Sequence, residues 1–236
     1  MKKTLLIIPG WEGTRETWKN FIALAQNEFE TVCLNLPGFG DEPCPEIPWG
    51  VEDYANFVKN KIVSLGIEKP YILGHSFGGQ VAVFLVANYP DIAGKLVLSG
   101  AAVLRPEASL KRRLFFFIAQ IGKILFKLPV IGKFDTRAKK ILYYFSGSGD
   151  YAKTSGIKRE IFKKVIRQDL THLLPKIKVP TLVVWGTQDA YVSLESGKRI
   201  AKLIPNAKLE IISGGKHGLH IQQPENLLRI VKNFLD

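Results

Sequence analysis

Residues 70–80 read P-Y-I-L-G-H-S-F-G-G-Q. Ser76 stands where a short apolar run of strand character turns into a helical pattern. A serine there is either a turn residue or a nucleophile. The nucleophile reading makes physical demands that this stretch meets. A side chain presented at the tip of a very tight strand-to-helix turn sits on a strained backbone, and its flanks must be small. Gly74, Gly78 and Gly79 supply that clearance. The following helix aims its free N–H groups and positive dipole end at whatever Ser76 attacks. The Phe77 backbone N–H is then a natural donor to an oxyanion.

A serine needs a base, and the base needs an orienting carboxylate. The histidines are His75, His172, His217 and His220. His75 lies beside Ser76 in sequence, with its side chain expected to point away from it. His172 falls late in the chain's irregular middle. His217, in the Gly-rich loop S-G-G-K-H-G-L-H after the last strand pattern, is the favoured base. His220, three residues on, is the alternative, and a plain loop histidine is the bland reading. Asp189 follows the strand pattern V-P-T-L-V-V-W-G and reaches the same sheet edge, as the acid or as a solvated turn residue. After the apolar run at 95–99 the first carboxylate is Glu107, too far along to serve.

These residues need a frame. Continuously apolar runs at 4–8, 31–36, 71–74, 95–99, 181–185 and 208–212 predict strands buried on both faces of a parallel sheet. Helical patterns at 14–28, 51–65, 77–88, 193–203 and 225–235 alternate with them. That alternation predicts a doubly wound, mostly parallel α/β sheet flanked by helices. Residues 105–172 break the rhythm with helical patterns at 110–128, 135–145 and 155–170. We therefore expect an α/β core at 1–104 and 173–236 and an inserted helical unit at 105–172.

The charge is unevenly distributed. Of a formal +12, residues 101–175 carry +11, with 16 of the 33 Lys+Arg and only 5 of the 21 Asp+Glu. In the first helical pattern Arg112, Arg113, Gln120, Lys123 and Lys127 form one stripe opposite Phe and Leu. Such a face is a solvated surface, a contact for an anionic membrane, or a guide for anionic substrates. Nucleic acid is not expected, because no recognition module accompanies the charge. Two cysteines, Cys33 and Cys44, make neither a disulfide framework nor a metal pattern and fit a cytoplasmic setting. The start, M-K-K-T-L-L-I-I-P-G-W, reads as a strand rather than a leader, its apolar run being too short.

The chain resembles the α/β-hydrolase fold superfamily, on Gly74-His75-Ser76-Phe77-Gly78 and on the order Ser76, Asp189, His217. The resemblance implies that Ile8-Pro9-Gly10-Trp11 is the oxyanion loop, with the Trp11 backbone N–H as second donor. It makes Leu36-Pro37-Gly38-Phe39-Gly40 the Gly-rich loop after the next strand, and 105–172 a cap over the site. Pro9 stands where the family usually has His, Asn35 where Asp is common, and Asp41 where Ser often follows. The family's usual first two antiparallel strands have no counterpart in the pattern.

The expected activity is that of a carboxylesterase-type serine hydrolase, without metal or organic cofactor, on a small substrate with an apolar acyl group. Phe115, Phe116, Phe117, Tyr143, Tyr144 and Phe145 are candidates for the pocket lining, although as aromatics they also suit the interior of the cap. A serine nucleophile disfavours the dehalogenase and epoxide-hydrolase chemistry that uses Asp there. Lactonase, thioesterase, carbon–carbon bond hydrolase and cofactor-free peroxidase chemistry use the same three residues. A non-catalytic ligand-binding or membrane-surface protein is the alternative of another class.

Overall fold

The computed structural model describes residues 2–105 and 154–236. The apolar runs become strands because each side chain finds an apolar layer on both faces. Strands β1 (Thr4–Ile8), β2 (Glu30–Cys33), β3 (Tyr71–His75), β4 (Lys95–Ser99), β5 (Thr181–Gly186) and β6 (Ala207–Ile212) pair in the order β2-β1-β3-β4-β5-β6, every pair parallel. Parallel neighbours need crossovers, and these are helices. Helices α1 (Lys19–Ala25) and α7 (Pro224–Leu235) cover one face around Leu5, Ile7, Leu73, Val97 and Val184. Helices α2 (Val51–Ser64), α3 (Phe77–Asn88) and α5 (Leu194–Leu203) cover the other around Leu6, Ile8, Ile72, Leu98 and Val183. Helix α4 (Gly156–Val165) and the short α6 (Leu219–Gln222) lie at the end of the sheet where the strands finish.

Helix α3, which carries the residues after Ser76, is buried almost all round, with Val81, Ala82, Val83, Leu85 and Val86 fully enclosed. A helix apolar on every side belongs in the interior, so the start of α3 has little freedom to shift. Gly78 seats it against β1. A Cβ there would lie 2.1 Å from the Ile8 carbonyl oxygen and 2.3 Å from that of Pro9.

Three sequence expectations are corrected. The strand expected at 31–36 stops at Cys33. Leu34 N–H still reaches the Ile7 carbonyl, but β1 ends at Ile8, and Asn35 turns its side chain to the Arg15 N–H and to Asp41. The helix expected from residue 14 opens as a 3-10 turn, Glu16–Trp18, before α1. The edge strands β2 and β6 are not buried on both faces; β6 leaves Lys208, Glu210 and Ile211 in solvent. Charge on an edge strand discourages pairing with another chain.

Of the expected insertion, the helix at 155–170 is present as α4, shortened to Gly156–Val165. The patterns at 110–128 and 135–145 lie outside the described residues, and so do Phe115, Phe116, Phe117, Tyr143, Tyr144 and Phe145. Both stems of this segment are fastened to the core. The Arg105 N–H donates to Asp169, and its guanidinium donates to the carbonyls of Ala102 and Val165 at 2.8 and 2.9 Å. Gln168 accepts the Val51 N–H at the start of α2, while Gly50 N–H donates to the Asp53 carboxylate. Residues more than a hundred positions apart thus cap one helix.

Candidate active site

Ser76 occupies the link between β3 and α3 with φ 52° and ψ −115°, a conformation that costs a non-glycine residue of the order of 1–3 kcal/mol. Hydrogen bonds on both sides hold it there. Ser76 N–H donates to the Ser99 carbonyl at 3.1 Å, and the Ser76 carbonyl accepts from the N–H groups of Gly79, Gln80 and Ala102. The first N–H of a helix has no partner within the helix. Phe77 N–H and Trp11 N–H meet no protein acceptor among the described residues. Gly10 brings the Trp11 loop to Ser76, since a Cβ on it would lie 3.1 Å from Ser76 Cβ. Pro9 leaves this loop closed by the Gly13 N–H to Gly10 carbonyl bond of 2.9 Å.

The loops after β5 and β6 bring Asp189 and His217 together. His217 Nδ1 lies 2.7 Å from Asp189 Oδ2. The other carboxylate oxygen, Oδ1, accepts the Tyr191 and Val192 N–H groups at 2.9 Å each. Asp189 is therefore locked by its own loop, and Nδ1 of His217 is the atom that carries the proton to it. Nε2 is left to accept one. The ends of β5 and β6 are in register, Gly186 opposite Ile212, which aligns the two loops. Among the described residues the Ser76 hydroxyl is not hydrogen-bonded to His217. Such contacts commonly tighten only when substrate is bound.

Gly100 is a residue that the motif reading missed. It follows β4 at φ 54°, and a Cβ there would stand 3.1 Å from His217 Nδ1 and 3.2 Å from Asp189 Oδ2. Its signal was a glycine directly after a strand whose neighbour carries the nucleophile. Asn35, in a position where an acid is common, is a brace between Arg15 N–H and Asp41. Its bond is the main cause of the lowered pKa of Asp41.

The other histidines separate cleanly. His172 is exposed in the 3-10 turn Thr171–Lys176. His220 is buried, stacks flat on Trp18 at 3.9 Å and has no carboxylate partner among the described residues. His75 is buried and its Nδ1 donates to the Ser99 carbonyl at 2.9 Å. Burial, then the neighbouring imidazoles, hold His75 well below the ordinary histidine range. Burial followed by His217 brings His220 down to about 3. Both are neutral in the folded protein at neutral pH. They resist protons that the unfolded chain accepts below about 6.5, so stability falls as pH drops through that value. For His220 the loss continues until its folded value near 3 is reached. Urea unfolding at pH 7 and pH 4.5 should show it: His220→Phe should recover about 2 kcal/mol of the acid loss. An unchanged acid slope would contradict a neutral His220.

Trp11 offers more than its backbone. Its half-buried ring meets Phe39, Phe77 and Phe162 edge-to-face at 4.9, 5.7 and 4.9 Å. Phe77 in turn meets Tyr54 at 5.0 Å. The Phe77 ring thus ties the Trp11 loop to α2 and, through Trp11, to α4.

A serine on a strained strand-to-helix turn, beside a carboxylate-paired histidine at the carboxyl edge of a parallel sheet, defines a hydrolase class. The chain belongs to the α/β-hydrolase fold family, whose model matches residues 3–224. A 2-hydroxy-6-oxononadienedioate/2-hydroxy-6-oxononatrienedioate hydrolase of Paraburkholderia phymatum is 25% identical to it, over 99% of this chain and 87% of that protein. Epoxide hydrolase 4 of Mus musculus is 24% identical, over 99% of this chain and 73% of that one. Among solved structures, a bacterial membrane phospholipase A superposes with a TM-score of 0.76 at 25% identity, covering 100% of this chain and 79% of that one.

Proposed function

We propose that the protein is a carboxylesterase-type serine hydrolase with Ser76 as nucleophile, His217 as base and Asp189 as orienting acid. The observation that carries this reading is the 2.7 Å His217–Asp189 bond at the strand ends beside the strained Ser76. As Ser76 Oγ bonds to the ester carbonyl carbon, its proton passes to His217 Nε2. The carbonyl oxygen takes the negative charge and is met by the Trp11 and Phe77 N–H groups, each worth on the order of 10²–10³ in rate. His217 then protonates the alcohol as the C–O bond breaks, leaving an acyl group on Ser76. Water repeats the sequence and releases the acid. Asp189 stabilises the imidazolium in both halves.

The test is covalent labelling and a substrate panel. A fluorophosphonate should label Ser76, and p-nitrophenyl esters of medium acyl chains should turn over faster than acetate. An unlabelled, esterase-inactive folded protein would sink the reading.

A second reading rests on the likeness to the Paraburkholderia phymatum enzyme, namely carbon–carbon bond hydrolysis by the same three residues. Steady-state comparison of a 2-hydroxy-6-oxo-dienedioate with the best ester decides between them by kcat/KM.

We also propose that the basic segment meets an anionic lipid surface. Its +11 excess and the likeness to a membrane phospholipase A support this. No helix among the described residues is long and apolar enough to cross a membrane. Sedimentation with phosphatidylserine vesicles at about 0.01 M salt should retain the protein, and 0.5 M salt should release it. Absence of binding at low salt ends the proposal. A cytoplasmic setting fits the two free cysteines, Cys33 and Cys44.

A further inference from the structure

Three imidazoles from two separate parts of the chain meet beneath the site, and the reaction uses only one. The His75 ring lies 4.8 Å from that of His217 and 4.8 Å from that of His220. His220 stacks on Trp18 at 3.9 Å, with the planes within 6°. Trp18 is fully buried, and His75 and His220 are 6% and 5% exposed. The three histidines do not make a metal-ligand group. The exposed Tyr191 ring also stacks on His217, at 5.1 Å. The imidazole of His217 thus meets the rings of Tyr191 and His75, with Asp189 at its Nδ1 edge. The titratable groups facing it among the described residues are Asp189 and Tyr191 from the loop after β5, His75 from β3 and His220 from α6.

We propose that His75 is a positioning residue for the base. Its ring, pinned by the Ser99 carbonyl and backed by His220 on Trp18, holds His217 against Asp189 and keeps water from that side of it. This rests on the reading of Ser76, His217 and Asp189 given above.

His217 follows a Gly-rich loop and precedes Gly218, so its backbone neighbours restrict it little. Its side chain must gain a proton and lose it in each half-reaction without swinging out. Asp189 fixes one edge of the ring only, and a second fixed contact is needed to set its tilt. His75 supplies that contact because it cannot itself move. Its neighbour Ser76 is held by four backbone bonds and its own Nδ1–H is spent on Ser99. Burial keeps both supporting rings neutral, so they oppose no charge arriving on His217. A bulky apolar residue would fill the same space but would leave the buried Ser99 carbonyl with the Ser76 N–H as its one donor.

The test separates the ring from the hydrogen bond. His75→Asn keeps an N–H for Ser99 and removes the ring that backs His217. We expect the variant to fold, with kcat lowered about tenfold, KM within about twofold, and the acid limb of the kcat/KM profile moved up by roughly half a pH unit as water reaches the imidazole. His220→Ala, which leaves the strand-to-helix turn untouched, should move the same limb in the same direction by less, and it serves if His75→Asn does not fold. Wild-type kcat and an unmoved acid limb in folded His75→Asn would overturn the inference, since the Ser99 bond would then be the whole role. So would an unmoved limb in His220→Ala. Fluorophosphonate labelling of the wild-type protein runs in parallel. Failure there removes the reading of Ser76 itself, whereas normal labelling with unshifted variants removes only the role of His75.

Discussion

Ser76→Ala is expected to abolish fluorophosphonate labelling and to lower kcat for the best ester by about 10⁴–10⁶-fold. The size follows from what the substitution leaves behind. In the proposed mechanism the Trp11 and Phe77 N–H groups would still bind a polarised carbonyl, and His217 would still draw a proton from water. Such remnants keep only the fraction of catalysis that comes from binding and the oxyanion site. Folding should be preserved or improved. The hydroxyl makes no hydrogen bond among the described residues, and the backbone strain at φ 52° is carried by its neighbours' bonds, which alanine retains. Steady-state turnover and thermal unfolding measured together are the check. A folded variant with turnover within tenfold of wild type would show that another group performs the attack.

Asp189→Asn should cost about 10⁴-fold in kcat while leaving the loop in place. The reason lies in how the carboxylate is divided. Oδ1 accepts two backbone N–H groups, from Tyr191 and Val192, and Oδ2 faces His217 Nδ1. In the asparagine variant the oxygen keeps the two N–H donors, because turning the amide would set its NH₂ against both. The NH₂ then faces His217 and must donate to Nδ1. The histidine is forced into the tautomer with its proton on Nε2, the atom that has to take the proton from Ser76. Geometry survives and basicity at the required nitrogen is lost. Nitrogen NMR of the histidine rings should report the tautomer, and kcat at neutral pH the consequence. A variant that keeps the wild-type tautomer and activity would show that Asp189 is a loop anchor only.

The same two loops show why parts of this protein could be read from the chain. β1, β4 and α3 have the bounds their patterns predict, because continuous apolar runs have one place to go in a parallel sheet. Ser76 was readable because a strained turn forces small residues onto its flanks. Asp189 and His217 were readable because each follows a strand at the edge where such sheets place their sites. Where an element lies at the sheet's margin, the pattern failed. β2 stops at Cys33, one residue before its partner β1 runs out at Ile8, and Asn35 then turns its side chain to the distant Arg15 N–H and to Asp41.

What composition and spacing determine by themselves, then, is the sheet, its alternation with helices, the family resemblance, and which serine, acid and histidine stand at the strand ends. They favour His217 over His220, three residues on in the same short stretch, but supply no contact that separates the two. Only the tertiary structure decides between them, by giving His217 the Asp189 carboxylate at 2.7 Å and burying His220 on Trp18. It also assigns His75 its place under His217, Gly100 its nearness to the acid–base pair, and the Phe77 ring its contact with Trp11. The physical reason is common to all four. Local propensity acts over a few residues, whereas burial and ring contacts join positions that are distant in the chain. Such contacts exist only once the sheet has brought the ends of β3, β4, β5 and β6 together.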